Sequence, residues 1–500
     1  MTRACLFVAF CGVAASALAQ PAPADRIDQY VRANQGAIVK EFLELVAIPN
    51  VRTDLPHIRR NAELLRQMLD RRGLKPEIWD TPSTPMVFGE RSVPGATRTI
   101  LFYIHFDGQA VDKARWKQPD PFTPVLRTGS IEAGGREVPD VAAQSQFPDD
   151  WRIYARSAGD DKGPIQAFVS ALDALGPTPT HNIKVILHGE EEGGGPALAS
   201  VIKAHGDRLR SDVLIILDGP QHASGKPTIY YGARGGAGLE VTVYTARSAM
   251  HSGNYGNWLP DANVRLSQLL ASMVQPSGRV AIAGFYDDVP PFTAAEQAML
   301  RAVPDDTARM KQMYGLGSTD GAASSLQEGL NLPAFSVHTM TGGEVGGVIA
   351  ARATAEIALR LVRENSPRQM VDRVLAHIRA QGYFVVDREP DPATLTAHPR
   401  IARVTTRAGA ASGAWRTDPA HPQAEAVTDA LRRRYGADGV VRIRTLGGGV
   451  PAGPFIEAFG VPTVGVSLAN FDDNQHTDDE NLRLGNLWNG IGTLAAIMAR

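Results

Sequence analysis

The sequence of 500 residues is poor in cysteine and has no excess of positive charge. Its two cysteines, Cys5 and Cys11, both lie in the first twenty residues, so a disulfide framework is excluded. Lys and Arg total 51 against 53 Asp and Glu, and this balance lacks the basic surplus typical of proteins that bind nucleic acid. Repeats of 20–50 residues are also absent, which excludes a solenoid. What remains is a composition with 43% hydrophobic residues, typical of a globular protein.

The N-terminal segment has the three parts of a secretory signal peptide. Arg3 supplies a positive charge, residues 4–15 are apolar, and Ala17-Leu18-Ala19 fits a small-residue cleavage signal. The apolar run is shorter than the ~20 residues that a membrane-spanning helix requires. We therefore predict that residues 1–19 are removed and that the mature protein is periplasmic or secreted, without a membrane span. A lipoprotein anchored at Cys11 is the alternative, and the bulky Phe10 disfavours it.

The hydrophobic pattern predicts two kinds of sheet. Residues 99–104, 183–187 and 213–217 are short, β-branched apolar runs, typical of buried parallel strands in an α/β sheet flanked by helices. After residue 236 apolar and polar residues alternate, which indicates half-buried antiparallel strands of an α+β domain. The first pattern returns at about residue 419. We predict one α/β domain made of residues 20–235 and 419–500, with a second domain, 236–418, inserted into it.

Acidic residues and histidines follow the predicted parallel strands, whose carboxyl ends meet at one edge of a sheet. Such carboxylates are often helix caps, and a run of glutamates is usually a solvated face. Here, however, three adjacent carboxylates directly follow a buried strand, and they repel one another unless cations neutralise them. Because the mature chain lacks thiols, a divalent ion such as zinc would be held by histidine and carboxylate. The residues are His105, Asp107, Asp160, Asp161, Glu190, Glu191, Glu192, Asp218 and His476.

Most of these residues lie in short motifs whose order and spacing resemble those of a known protein family. An H-x-D motif at 105–107, D-D-K-G at 160–163, E-E-E-x-G at 190–194 and a late histidine occur in that order. Together they resemble the co-catalytic dizinc metallopeptidases that include carnosinase-type dipeptidases, carboxypeptidase G and the aminoacylases. The resemblance covers nearly all of the mature chain. It implies that the split domain is catalytic and that residues 236–418 form a ferredoxin-like lid and dimerisation domain.

The resemblance implies a ligand set for two zinc ions, with Mn²⁺ and Co²⁺ as alternatives. Asp160 would bridge the two ions, and Asp107 would orient His105. A cis peptide between Asp160 and Asp161 is also implied. The first ion would be held by His105, Asp160 and Asp218, and the second by Asp160, Glu192 and His476.

The same resemblance implies the remaining functional residues. Glu191 would be the general base for a hydroxide held by the metals, with Glu190 as the alternative because the register within three glutamates is open. His251 would stabilise the oxyanion from the partner's lid domain, which implies a homodimer. The substrate carboxylate would be bound by Arg360 and by the backbone of Gly448 and Gly449.

We therefore expect an exported zinc-dependent hydrolase that cleaves the amide bond of a dipeptide or short peptide with a free carboxylate. The alternative enzyme is an N-acyl-amino-acid deacylase with the same metal site, and a phosphodiesterase would also use two metals. A non-catalytic binding protein on this fold is a further alternative. Carnosinase-like relatives have hydroxyl side chains where this chain has Gly347 and Gly449, so specificity for carnosine-like dipeptides is left open.

Overall fold

The structure is a computed structural model that describes residues 23–176, 179–321, 323–343, 346–406 and 412–499. The signal peptide predicted at residues 1–19 lies outside these ranges. Within them, no helix has both the length and the apolar character needed to cross a bilayer.

Helices and strands occur throughout the described ranges. The helices are α1 (Pro23–Val46), α2 (Leu55–Asp70), α3 (Lys162–Leu175), α4 (Ala197–Leu209), α5 (Ser252–Tyr255), α6 (Ala262–Met273), α7 (Ala294–Arg301), α8 (Thr307–Tyr314), α9 (Leu326–Leu330), α10 (Pro367–Ala380), α11 (Pro392–Ala397), α12 (Pro422–Tyr435), α13 (Gly453–Phe459) and α14 (Leu484–Met498). The strands are β1 (Lys75–Trp79), β2 (Met86–Arg91), β3 (Thr99–His105), β4 (Val125–Arg127), β5 (Arg152–Tyr154), β6 (Asn182–His188), β7 (Val213–Ile216), β8 (Thr228–Tyr230), β9 (Gly232–Ala233), β10 (Gly235–Tyr244), β11 (Met250–His251), β12 (Ala334–Gly342), β13 (Val348–Ile349), β14 (Arg352–Leu361), β15 (Phe384–Val386), β16 (Ile401–Thr406), β17 (Trp415–Arg416), β18 (Val441–Ile443), β19 (Thr463–Ser467) and β20 (Asn481–Arg483).

An eight-stranded sheet organises the first structural unit, in the order β1-β2-β6-β3-β7-β19-β8-β18. Its four central strands, β6, β3, β7 and β19, run parallel, and they include the three apolar runs from which a parallel sheet was predicted. The sheet as a whole is mixed, because β2 pairs antiparallel with β6 at one side and β8 pairs antiparallel with β19 at the other. Short turns favour antiparallel pairing, as between β1 and β2.

Helices cover both faces of this sheet. Apolar side chains of α1, α2, α3, α12 and α14 pack in one core with one face, and those of α4 and α13 pack in a second core with the other face. The central strands are buried over most of their length, which explains why their sequences are largely apolar. The arrangement leaves the ends of the central strands as the place where polar side chains can gather.

A five-stranded sheet in the order β12-β14-β10-β16-β15 lies in the segment predicted to form the inserted domain, apart from Gly235, the first residue of β10. Strand β14 buries every second residue, including Ala355, Ile357 and Leu359, as the alternation predicts. The buried side chains of α6 and α10 pack on this face. Each fully buried Leu or Ile contributes about 1.5–3 kcal/mol, so the alternating face stabilises the packing of the two helices. Strand β12 is an exposed edge.

Candidate metal centre

The polar residues predicted to form a site converge at the carboxyl ends of the central strands. His105 is the last residue of β3, Glu190 to Glu192 follow β6, and Asp218 follows β7. Because β6, β3 and β7 are adjacent and parallel, these residues arrive at the same edge of the sheet. Asp160 joins them from the turn before α3, and His476 from the segment between β19 and β20.

Asp160 lies at the centre of this group, with one carboxylate oxygen toward each of two histidines. Its Oδ1 is 2.8 Å from Nε2 of His105, and its Oδ2 is 3.1 Å from Nε2 of His476. The same nitrogen of His476 is 2.9 Å from Oε2 of Glu192. The Asp160 side chain is 7% exposed, so it is poised between two sets of ligand atoms. The peptide bond between Asp160 and Asp161 is cis, as the resemblance implies.

Two groups of three residues could each hold a metal ion. His105, Asp160 and Asp218 form one, and Asp160, Glu192 and His476 form the other, with the ligand atoms of each group all within 4.8 Å of one another. Imidazole and carboxylate donors in such triads suit zinc and related divalent ions. The structure therefore brings together all five residues predicted as metal ligands, with Asp160 common to both groups.

The buried carboxylates of the site raise the pKa values of neighbouring groups. Burial, reinforced by the charge of Asp160, raises the pKa of Asp218 to about 7. Hydrogen bonds to Asp160 and Glu192 raise the pKa of His476 to about 10. The buried carboxylates thus favour the protonated forms of Asp218 and His476, as expected where several anions are buried together. Divalent cations at the same place would satisfy these carboxylates, so the residues present fit a pair of metal ions.

Asp107 fixes the loop that carries the glutamates. It is fully buried, and its two oxygens accept the backbone N–H groups of Glu191 at 2.9 Å and Glu192 at 3.1 Å. Nδ1 of His105 lies 3.2 Å from the Asp107 carbonyl oxygen and 3.5 Å from its Oδ1. Asp107 therefore contacts both neighbouring strand ends, His105 chiefly through its carbonyl oxygen and the glutamate loop through its carboxylate.

Replacement of Asp107 by Asn is expected to weaken metal binding by roughly 10–100-fold, the usual effect of losing a partner of a metal ligand. An amide has one acceptor oxygen, so its NH₂ group would face one of the two backbone N–H groups that Asp107 now accepts. Calorimetric titration of the metal-depleted protein with Zn²⁺ measures the change. Binding as tight as in the wild type would show that this loop is held by other contacts.

Glu190 and Glu191 have different surroundings. Glu190 is buried, and its Oε1 accepts the backbone N–H of Ala197 at 2.6 Å, at the first residue of α4. Burial raises the pKa of Glu191 well above its ordinary value, and the charges of Asp218 and Glu192 add to this effect. Glu190 therefore acts as a helix cap, whereas Glu191 interacts electrostatically with the ligand group.

The lysine of the D-D-K-G motif has a structural partner. Lys162 is fully buried, and its Nζ donates to the carbonyl oxygens of Leu45 at 3.0 Å and Ile48 at 2.8 Å, at the end of α1. Burial lowers its pKa well below the ordinary value. The motif thus ties the turn containing Asp160 to the end of the first helix.

Besides Asp107 and Glu191, four predicted residues lie outside the two metal-ligand groups. His251 is exposed at the end of β11, where its Nδ1 accepts the N–H of Gly253, and it makes no hydrogen bond to the ligand residues in the described part of the chain. Arg360 is exposed on β14 opposite Gly236. Gly448 and Gly449 are exposed in the segment between β18 and α13.

Two residues of the site, Gln109 and Glu480, were not predicted from the sequence. Nε2 of Gln109 donates to Oε2 of Glu192 at 2.9 Å, and Glu480 accepts the backbone N–H of Asp160 at 3.0 Å. Gln109 lies two residues beyond the H-x-D motif, so that motif extended by two positions would have included it. Glu480 lies in an acidic run typical of a solvated loop, and no pattern distinguishes it.

Comparisons with known proteins agree with this geometry. Residues 101–500 match the peptidase family M20/M25/M40. The chain is 28% identical to the human Beta-Ala-His dipeptidase, with 96% of this chain and 92% of that protein covered. It is 24% identical to the Cys-Gly metallodipeptidase dug1 of Schizosaccharomyces pombe, with 93% and 96% covered. The crystal structure of human carnosine dipeptidase 1 superposes with a TM-score of 0.76 at 24% identity, covering 96% of this chain and 98% of that one.

The region matched to the family contains every residue of the two candidate ligand groups, from His105 to His476. It also contains the eight-stranded and five-stranded sheets, apart from β1, β2 and the first residues of β3. The chain therefore belongs to peptidase family M20/M25/M40 and is a metallopeptidase.

Proposed function

We propose that this protein is an exported, zinc-dependent peptidase that cleaves the amide bond of a dipeptide or short peptide with a free carboxylate. The observation that carries the proposal is the pair of ligand groups that share Asp160 and adjoin Glu191. The names of two relatives add support, because one is a Beta-Ala-His dipeptidase and the other a Cys-Gly metallodipeptidase. Export rests on the signal peptide predicted at residues 1–19, and N-terminal sequencing of the mature protein, expected to begin at Gln20, tests it.

The metal ions would be held by the five residues of the two groups. When bound, they supply Lewis acidity that lowers the pKa of water and polarises the scissile carbonyl. Among the protein groups, Asp107 holds the backbone of Glu191 and Glu192, and Gln109 holds the carboxylate of Glu192. These contacts keep the ligand atoms in place before substrate arrives, which is the condition for efficient electrostatic catalysis.

Glu191 would take and return the proton. Its backbone is fixed by Asp107, and its carboxyl group interacts with the charges of His105 and Asp218. Because burial raises its pKa, this carboxyl group is suited to accept a proton from the attacking water and to deliver it to the leaving amine. Glu190 is less suited, since its carboxylate caps α4.

Arg360 and the loop containing Gly448 and Gly449 would bind the substrate carboxylate. Arg360 lines a cavity of about 270 Å³ together with Gly236 and His338. A Cβ at Gly449 would lie 3.2 Å from the carbonyl oxygen of Arg234. Burial, together with the positive charge of Arg360, lowers the pKa of Arg234 to about 10. A guanidinium and a loop of backbone N–H groups are both suited to bind a carboxylate.

Removal of the Arg360 guanidinium tests that role. The Arg360→Met variant is expected to raise KM for a dipeptide by about 10–100-fold, since a charge-assisted hydrogen bond contributes about 1.5–3 kcal/mol. The effect should shrink for a substrate whose C-terminal carboxylate is amidated, because that substrate offers no anion. An equal loss for both substrates would assign Arg360 a different function.

We infer that His251 acts across a homodimer, because in the part of the chain that the structure describes it is exposed and makes no hydrogen bond to the ligand residues. The test mixes two inactive variants, His251→Ala and Glu191→Gln, under conditions that exchange subunits. If the sites are shared, a mixed dimer has one site with both residues intact, and activity returns. Two variants that stay inactive after verified subunit exchange would place His251 outside the partner's site.

The substrate class is tested by a screen of dipeptides against N-acyl amino acids with zinc, manganese or cobalt added. We expect hydrolysis of dipeptides, absent from the Glu191→Gln variant. The alternative is an N-acyl-amino-acid deacylase with the same metal site. The glycines at 347 and 449 lack the hydroxyl side chains of carnosinase-like relatives, so they weigh against carnosine-like dipeptides in particular. Gly347 has φ of +73°, a conformation that disfavours a hydroxyl residue there. Turnover of N-acyl amino acids alone would select the deacylase.

A further inference from the structure

Glu480 is a buried carboxylate whose hydrogen-bonding capacity is filled by one short segment of the chain. It is 1% exposed and lies four residues after His476. Its Oε1 accepts two backbone N–H groups and its Oε2 accepts one backbone N–H group and one guanidinium. The donors are Gly159 N at 3.1 Å, Asp160 N at 3.0 Å, Ser157 N at 2.8 Å and Arg156 Nη1 at 2.7 Å.

These bonds join the two segments that carry the shared ligand and the late histidine. Asp160 lies at one end of the segment 156–160, and His476 lies at the start of the segment 476–480. Arg156 strengthens the link, since its Nη2 donates to the carbonyl oxygen of Thr477 at 2.9 Å. Besides the direct contact of 3.1 Å between their side chains, Asp160 and His476 are therefore linked by contacts that include neither side chain.

Both segments contain backbone conformations that need such support. Ser157 has φ of 63° and His476 has φ of 62°, in the left-handed region that residues with a Cβ seldom adopt. The N–H of Ser157 is one of the groups bound by Glu480. A simple ion pair with Arg156 would occupy one oxygen only, whereas here the second oxygen is taken by Gly159 and Asp160.

We propose that Glu480 is a positioning residue that couples the two metal sites, because it holds the backbone of Asp160 against the turn that presents His476. It contacts neither substrate nor the ligand atoms, so it acts through Asp160 and His476. The inference rests on the proposed two-metal function. Loss of this contact should weaken both ions together, since Asp160 belongs to both ligand groups.

The test compares metal binding by the full chain and by its Glu480→Gln variant. Each protein is depleted of metal and titrated with Zn²⁺ by calorimetry and with Co²⁺ by visible absorption. The amide of Gln would direct an NH₂ group at backbone N–H donors, so we expect affinity to fall by roughly 10–100-fold for both ions, as for other partners of metal ligands. The Co²⁺ spectrum should also change, because it reports the geometry of the ligands.

Asp472→Asn is the matched control. Asp472 lies in the same connecting segment and accepts hydrogen bonds from Arg152 at 2.8 Å and Asn470 at 2.8 Å, but its side chain is 36% exposed and makes no bond to residues 156–160. This variant is expected to keep wild-type metal affinity even if its Tm falls. If both variants lost the same metal affinity, the loss would come from general destabilisation of this segment and not from Glu480 in particular. That result would overturn the proposal.

The remaining outcomes separate the two claims. A wild-type protein that fails to bind two ions contradicts the proposed function and, with it, the coupling. A wild-type protein that binds two ions, with a folded Glu480→Gln variant of equal affinity, overturns the coupling alone. If the glutamine variant does not fold, Glu480→Asp replaces it: the charge is kept, but the shorter side chain cannot reach both pairs of donors. Wild-type affinity in that variant would likewise overturn the proposal.

Discussion

The Glu191→Gln variant is expected to keep its metal ions and to lose about 10²–10⁴-fold in kcat, the usual contribution of a general base. Gln has the shape of Glu but takes no proton at neutral pH. The backbone of residue 191 is held by Asp107 through the main-chain N–H, so the substitution leaves the loop in place. KM should change little, because Glu191 is assigned no part in binding the substrate carboxylate. Steady-state kinetics with metal analysis of the same sample measure both quantities.

Glu190→Gln is the matched control for this result. It makes the same chemical change one residue earlier, at a buried side chain whose oxygen caps α4 through the N–H of Ala197. Gln retains an oxygen that can accept this hydrogen bond, so activity per folded molecule should stay near that of the wild type. If Glu190→Gln lost turnover and Glu191→Gln kept it, the base would be Glu190.

The Asp160→Ala variant is expected to lose both metal ions and all measurable turnover. Asp160 is the one residue common to the two candidate groups, with its oxygens 2.8 Å from His105 and 3.1 Å from His476. Its removal takes a ligand from each ion and leaves His476 with Glu192 alone. The effect should exceed the roughly 10–100-fold loss expected for a partner of a ligand, such as Asp107.

Variants that remove a ligand from only one of the two groups are the comparison for Asp160→Ala. Asp218→Ala and His476→Ala each remove a ligand from one group only, so each should leave one ion tightly bound. After dialysis against metal-free buffer, metal analysis should therefore find no bound ion in Asp160→Ala and about one ion per chain in each of the other two variants, as a two-metal site requires. Retention of two ions by Asp160→Ala would show that this aspartate does not bridge.

The hydrophobic pattern and the motifs were sufficient to locate the centre of the fold. Continuous apolar runs predict the buried strands β3, β6 and β7 because both faces of a central strand are covered by helices. The carboxyl ends of these strands then collect His105, Asp107 and Asp218 without any knowledge of distances. The alternation in β14 likewise reflects a sheet with one covered face.

Other features depend on contacts between distant segments, which a single sequence does not record. The antiparallel pairing of β2 with β6 and of β8 with β19 makes the sheet mixed, and strand patterns alone do not specify the order of the edges. The choice between Glu190 and Glu191 depends on where the N–H of Ala197 lies. Glu480 is buried by segments more than 300 residues apart in sequence, so its acidic surroundings suggest exposure instead.

The number of metal ions bound per chain tests the central claim most directly. Inductively coupled plasma analysis of the purified wild-type protein, after exposure to Zn²⁺ and removal of free metal, should give about two ions per chain, as for other two-metal hydrolases. Prolonged treatment with a chelator should abolish peptidase activity, and Zn²⁺ should restore it. A protein that holds no divalent ion and whose activity survives the chelator would contradict the assignment of these residues as a metal centre.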